Sequence, residues 1–203
     1  MPATSNAILE EFRRAGALLE GHFILSSGLH SPKYLQCALV LQHPPLAARL
    51  CADLARKFKG AKVDAVVGPA LGAVIVAYEL ARAMGVRGIF TERQDGRMCL
   101  RRGFALSSGE RVVLCEDVVT TGGSLLEVMK IVREAGAEPV AVATLIDRSA
   151  GRDPGFGVPL VSLVKLDIPT YEPGARTCPL CREALPAVKP GSRPGAGGKE
   201  RSP

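Results

Sequence analysis

Glu116 and Asp117 are the residues whose type and placement most clearly suggest chemistry. They are adjacent carboxylates at the end of an apolar run, Val112-Val113-Leu114-Cys115, followed by Val118-Val119-Thr120-Thr121-Gly122-Gly123-Ser124 and an amphipathic stretch from Leu125 to Ala135. Read as strand, loop and helix, the loop falls at the carboxyl end of a strand, where open α/β sheets bind ligands. Backbone N–H groups at the helix start make an anion site. Thr120, Thr121 and Ser124 can add hydroxyl donors, while Gly122 and Gly123 let a phosphate come close to the backbone. Two carboxylates aimed at that phosphate would repel it. Accepting hydrogen bonds from a sugar diol a few ångströms away suits them better, and a ligand with both ends is a ribose 5-phosphate.

Competing phosphate motifs do not fit. No Gly-Lys-Ser/Thr follows the glycines, so this is not a P-loop, and no GxGxxG marks a strand–helix junction for a dinucleotide. An ordinary turn capped by Ser or Thr would explain the hydroxyls. It would have no use for the paired acids.

The elements that must hold this loop can be traced along the chain. Ile8, Leu9, Phe12, Ala15 and Leu19 fall at helical spacing behind Thr4/Ser5, with Gly21 as the stop. His22–Leu25 and Lys33–Leu41 read as extended pieces joined by a Ser-Ser-Gly turn. A helix begins at Pro44-Pro45 and carries Leu46, Leu50, Leu54 and Phe58. Then come a buried strand at Ala65-Val66-Val67, the turn Gly68–Gly72, a helix to Met84 and a strand Gly88–Thr91. A polar loop follows over 92–103. Beyond the 125–135 helix lie strands Pro139–Ile146 and Leu160–Leu166. Strand–helix alternation predicts an α/β fold with a mostly parallel, doubly wound sheet. The first forty residues break the alternation and are expected to form a small N-terminal hood. The expected organisation is 1–42 as helix and hood, 43–173 as α/β core and 174–203 as a basic, Pro/Gly-rich tail.

Composition agrees. The 203 residues are 47% hydrophobic but only 4% aromatic, with no Trp, which suits a Val/Leu/Ala core under helices. The start, Met1-Pro2-Ala3-Thr4-Ser5, lacks a signal-peptide pattern, and the longest apolar run is too short to span a bilayer. A cytoplasmic enzyme without membrane partners is expected. Of the net charge of +6, the last thirty residues carry +4. Lys189–Gly198 is too rich in Pro and Gly to fold, so the tail reads as a solvated end rather than a nucleic-acid contact.

The acid-then-T-T-G-G-S segment resembles the phosphoribosyl-diphosphate (PRPP) loop of the type I phosphoribosyltransferases. Gly21-His22-Phe23-Ile24-Leu25-Ser26-Ser27-Gly28-Leu29-His30-Ser31-Pro32-Lys33-Tyr34 is similar to the hood of their orotate branch. Val67–Gly72 resembles that branch's pyrophosphate-side loop, and Asp147-Arg148 closes a strand where the family sets an arginine against the orotate carboxylate. The resemblance spans about 7–173. It implies transfer of the phosphoribosyl group of PRPP to orotate, giving orotidine 5′-monophosphate and diphosphate in pyrimidine biosynthesis. It also implies Mg²⁺ carried on PRPP, with no metal ligands from the chain, and a homodimer. It assigns PRPP to Arg93, Glu116, Asp117, Val118, Val119, Thr120, Thr121, Gly122, Gly123 and Ser124. Orotate falls to Thr120 and Arg148, and catalysis to Asp117, Glu116 and Arg97. Two alternatives are a purine-type phosphoribosyltransferase and a PRPP-sensing regulator, though no helix-turn-helix region is to spare for the latter.

The chain departs from the family in its cations. Ser26 and Gly72 stand where lysines are usual. In the polar loop, Arg93 matches the family arginine, Arg97 falls where a lysine is expected, and Gln94 and Cys99 replace a lysine and a histidine. Arginine's planar fork can grip a diphosphate in their stead. Among six cysteines, Cys178-Pro179-Leu180-Cys181 is a C-x-x-C knuckle. It reads as half of a structural zinc site, which two knuckles in a dimer would complete as Cys₄, as a redox pair, or as packing thiols. The three histidines show no ligand spacing, and His30 reads as a turn residue.

Overall fold

A computed structural model describes residues 4–25 and 27–190. Ser26 and the tail 191–203, with Arg193, Lys199 and Arg201, lie outside the described residues.

Helix α1 (Ser5–Arg14) is capped by Thr4, whose hydroxyl accepts the Ala7 N–H, and it buries Ile8 and Phe12. It ends earlier than the periodicity predicts, because Gly16 takes a left-handed φ of 65°. Leu19 and Gly21 therefore belong to β1 (Leu18–Ile24), which pairs antiparallel with β2 (His30–Leu35) as a separate two-stranded sheet, the hood. The end of the expected extended piece Lys33–Leu41 is instead a helical turn, α2 (Ala38–Leu41).

The core is a six-stranded sheet in the order β5-β4-β3-β6-β7-β8. Its members are β3 (Ala65–Pro69), β4 (Arg87–Gln94), β5 (Arg97–Leu100), β6 (Arg111–Val119), β7 (Glu138–Asp147) and β8 (Leu160–Lys165). All are parallel except the edge strand β5. Helices α3 (Pro44–Arg56) and α4 (Val74–Met84) pack with Val66 and Val113 on one face. Helix α5 (Gly123–Glu134) packs with Val67, Val112 and Leu114 on the other. Consecutive residues of β3 and β6 thus face opposite layers, which is why Ala65–Val67 and Val112–Cys115 are unbroken apolar runs. The chain winds from β3 outward to β4 and then crosses back to β6. This puts the switch point at the carboxyl ends of β3 and β6, where such sheets bind ligands.

The segment expected as a polar loop over 92–103 differs most. It is largely the β4–β5 hairpin, turned by Asp95-Gly96 with φ values of 50° and 80°. Asp-Gly between extended residues is a strong signal for a two-residue hairpin turn. The charges on either side hid it.

Candidate active site

Strand β6 delivers Glu116, Asp117 and Val118 to the switch point, and β7 delivers Arg148 beside them. The two are tied where the Arg148 N–H donates to the Val119 carbonyl at 2.8 Å. The buried Thr144 hydroxyl donates to the Asp117 carbonyl at 3.1 Å and fixes the strand end from below. Above it, the hood, residues 117–121, Arg148 and Arg152 enclose a cavity of about 640 Å³. That volume suits a small-molecule ligand.

The phosphate end of the motif is built by Gly122 and α5. Gly122 is the N-cap, with φ of 77° and no side-chain cap hydrogen bond, so nothing from the cap competes for the first-turn N–H groups. A Cβ at Gly122 would lie 2.6 Å from the Phe156 ring, so backbone conformation and packing both demand glycine. Gly123 opens the helix, Ser124 is half-buried beside it, and Thr120 and Thr121 are exposed on the cavity wall. Val119 is buried and serves the core.

The acids occupy a costly place. Burial, with Asp117 as neighbour, pushes the Glu116 carboxyl up to about 8. Burial raises Asp117 as well, against the Val118 N–H that its Oδ1 accepts at 2.8 Å. With Glu116 raised that far, the empty site does not carry two full negative charges near neutrality. A cationic sugar would draw both to the charged form. Gly72 closes the other side, where a Cβ would sit 3.3 Å from Asp117 Oδ1.

The raised carboxyl makes a stability prediction. A folded-state value above the unfolded one costs nothing below pH 4.5, where both states are protonated. The cost grows as pH rises toward 8, where the folded protein must ionise. Glu116→Gln should therefore match the parent protein in denaturant melts near pH 5 and exceed it above pH 8, by as much as about 4 kcal/mol. An advantage that is the same at both pH values would contradict the buried-acid picture.

Arg148 is buried at 8% exposure. Its Nη2 reaches the Ser31 hydroxyl of the hood at 3.4 Å, and its Nε has no hydrogen-bond partner among the described residues. Asp147 does not neutralise it: that carboxylate accepts the Ser149 N–H at 2.9 Å, and no ion pair joins the two. Among the described residues this buried guanidinium has no counter-ion, and a buried cation on a cavity wall calls for an anionic ligand.

The loop arginines stand apart. Arg93 forks onto Glu127 of α5, at 3.0 and 2.5 Å, and onto the Gly96 carbonyl at 2.8 Å. Arg97 is exposed at the hairpin tip. Neither is among the described residues lining the cavity. Arg102 is paired with Glu92. One cation that sequence reasoning missed is there instead. Lys189, assigned to a solvated tail, lines the cavity because the Val188 N–H donates to the His22 carbonyl and the Ile24 N–H to the Val188 carbonyl, both at 2.8 Å. Tyr34 and Arg152 were also unforeseen on the wall.

The Cys178–Cys181 knuckle has neighbours that sequence spacing did not show. His22 and His30 converge on it within one chain, and His30 opens β2 rather than lying in the turn.

A mostly parallel sheet with an open helix N-terminus and adjacent acids at its switch point fits a phosphorylated sugar. The phosphoribosyl transferase domain family model matches residues 39–158. The orotate phosphoribosyltransferase of Caldicellulosiruptor bescii is 56% identical over 93% of this chain and 97% of its own length. That of Thermotoga maritima is 50% identical over 92% and 98%. The crystal structure of the Aeropyrum pernix orotate phosphoribosyltransferase superposes with a TM-score of 0.66 at 27% identity, covering 78% of this chain and 93% of that one. The chain belongs to the orotate phosphoribosyltransferase family.

Proposed function

We propose that this protein transfers the 5-phosphoribosyl group of PRPP to orotate, forming orotidine 5′-monophosphate and releasing diphosphate in pyrimidine biosynthesis. The observation that carries the reading is the unpaired, buried Arg148 on the same cavity as Asp117 and Thr120. A neutral purine offers that guanidinium hydrogen-bond acceptors but no counter-charge, whereas orotate carries a carboxylate. Product formation from PRPP with orotate, adenine, hypoxanthine and xanthine tests it: turnover with orotate alone is expected, and equal or better use of a purine would overturn it.

The chain's groups divide the work. The α5 N-terminus, with Gly122, Gly123, Ser124, Thr120 and Thr121, receives the 5-phosphate. Glu116 and Asp117 accept hydrogen bonds from the ribose diol and favour positive charge at C1 as the bond to diphosphate breaks. Thr120 and Arg148 hold orotate in line with C1. Orotate's negative charge lies on the carboxylate beside N1; N1 bonds to C1 as the C1–O bond to diphosphate breaks, and the N1 proton leaves to the departing diphosphate or to water. Arg97, without an ion pair among the described residues, is the loop cation assigned to the departing diphosphate, and Arg93 braces the hairpin through Glu127.

Mg²⁺ suits this site as a passenger on PRPP. The chain offers hard carboxylate oxygens at 116 and 117, and those acids gain from a nearby cation. When bound, the ion neutralises developing charge on the leaving diphosphate.

The proposed working unit is a cytoplasmic homodimer. Six free cysteines suit a reducing compartment, and no helix among the described residues is long and apolar enough to cross a membrane. Leu71, Ile75 and Tyr78, spaced to lie together on the α4 side, are 84%, 41% and 66% exposed, an apolar stripe that a second copy would cover. Sedimentation should give a dimer for the parent chain and a shift toward monomer for Tyr78→Glu. A monomeric parent would refute the assignment.

A further inference from the structure

Outside the residues that line the cavity, four side chains meet that the transfer reaction does not use. His22 and His30 come from the two strands of the hood hairpin. Cys178 and Cys181 bracket the first turn of α6 (Pro179–Arg182). Their four ligand atoms lie within 4.8 Å of one another, and His22, His30 and Cys178 are buried at 5%, 8% and 1% exposure. We propose that His22, His30, Cys178 and Cys181 bind one zinc ion within each chain, clasping the segment 171–188 to the hood.

The donor set and its spacing support a metal. Two imidazoles and two thiolates are the ligands of a closed, tetrahedral structural zinc. At ordinary zinc bond lengths, ligand nitrogens in such a tetrahedron lie about 3.3 Å apart and a nitrogen–sulfur pair about 3.5 Å. The observed separations are 2.7 Å for His22 Nε2 to His30 Nδ1, and 3.2 and 3.9 Å from Cys181 Sγ to His30 Nδ1 and His22 Nε2. These three differ from the tetrahedral values by about 0.3–0.6 Å, and the Cys178 Sγ lies within 4.8 Å of each of the other ligand atoms. The tautomer of His22 is already set: its Nδ1 donates to the Leu185 carbonyl at 2.7 Å, which leaves the Nε2 lone pair directed at the cluster. A carbonyl behind a ligand imidazole is the usual outer support of a metal site.

Placement gives the clasp a purpose. The segment 171–188 has little core of its own, and α6 buries none of its residues. It is sewn to the hood by reciprocal backbone hydrogen bonds between His30 and Tyr171, at 2.8 and 2.9 Å, and by the pair linking Val188 to His22 and Ile24. The ligands alternate with cavity-wall residues: Ile24 and Leu25 follow His22, Leu29 precedes His30, and Lys189 follows Val188. One ion would fix the wall and bring Lys189 to it without touching substrate.

The inference does not rest on the orotate reading and is tested separately. Full-length protein from zinc-replete cells, passed through chelator and gel filtration, should retain about one zinc ion per chain by mass spectrometry. Protein expressed in zinc-depleted, cobalt-supplemented medium should show the visible d–d bands of tetrahedral Co²⁺ with a thiolate charge-transfer band. Cys181→Ser should lose both signals, and limited proteolysis should then cut more readily within 171–188. If that variant does not fold, the cobalt spectrum of the parent chain still decides the question. Only trace zinc together with no cobalt bands, as a Cys178–Cys181 redox pair would give, overturns the proposal. Full zinc retention in a His22→Ala/His30→Ala variant also overturns it, since thiolates of two copies would then hold the metal.

Discussion

Asp117→Asn is expected to lower kcat by about 10²–10³-fold while leaving the fold intact. The expected loss is electrostatic. Asparagine keeps the shape and the oxygen that accepts the Val118 N–H, so the strand end should not move. What disappears is a buried negative charge facing the ribose, placed where the sugar becomes cationic as diphosphate leaves. Burial already opposes that charge in the empty site. Removing it should therefore cost no stability, and thermal melts near neutral pH should match or exceed those of the parent. Glu116→Gln should act in the same direction. Steady-state rates with PRPP and orotate, read beside the melts, separate a chemical effect from a folding defect. Unchanged turnover in both variants would remove the acids from the ribose subsite.

The parts of this molecule that were legible in the sequence are those held by local rules. An apolar run, two acids and T-T-G-G-S specify a strand end and a helix start within fifteen residues. Gly122 has to be glycine for reasons of φ as well as of packing. Burial on both faces of the sheet left unbroken apolar runs at Ala65–Val67 and Val112–Cys115. Misreadings came where a long-range contact decided the outcome. Leu19 continues the helical spacing of α1, but pairing with Tyr34 across the hood draws the chain into a strand. Arg93 looks like a free cation until Glu127, thirty-four residues on, is seen to hold it. Lys189 sits in a Pro/Gly-rich context that suggests a solvated end, and only the pairing of Val188 with the hood carries it to the cavity. His22 and His30, eight residues apart on opposite strands of a hairpin, have no ligand spacing in sequence. The antiparallel register and α6 together create the cluster.

Arg148 tests substrate choice, because orotate differs from uracil by one carboxylate and selectivity requires a fixed cation facing it. The chain places the Arg148 guanidinium in the wall with Nε unpartnered, Nη2 on Ser31, and no ion pair among the described residues to compete for it. Burial also lowers its proton affinity, so the empty site holds an arginine that gains from an arriving anion. Losing a charge-assisted contact costs about 1.5–3 kcal/mol, roughly ten- to a hundred-fold in kcat/KM. Arg148→Ala should lower kcat/KM for orotate by that factor and leave the KM for PRPP nearly unchanged, because phosphate and diol are held by α5 and the acids. Arg148→Lys should recover only part of the loss, since an ammonium cannot reproduce the fork. Thr120→Val should have a smaller effect that falls on both substrates, as its position between the subsites requires. If orotate kcat/KM survives Arg148→Ala, another cation reads the carboxylate. Lys189 and Arg152, on the same wall, are then the residues to change next, and loss of orotate selectivity in neither would return the purine-type reading to contention.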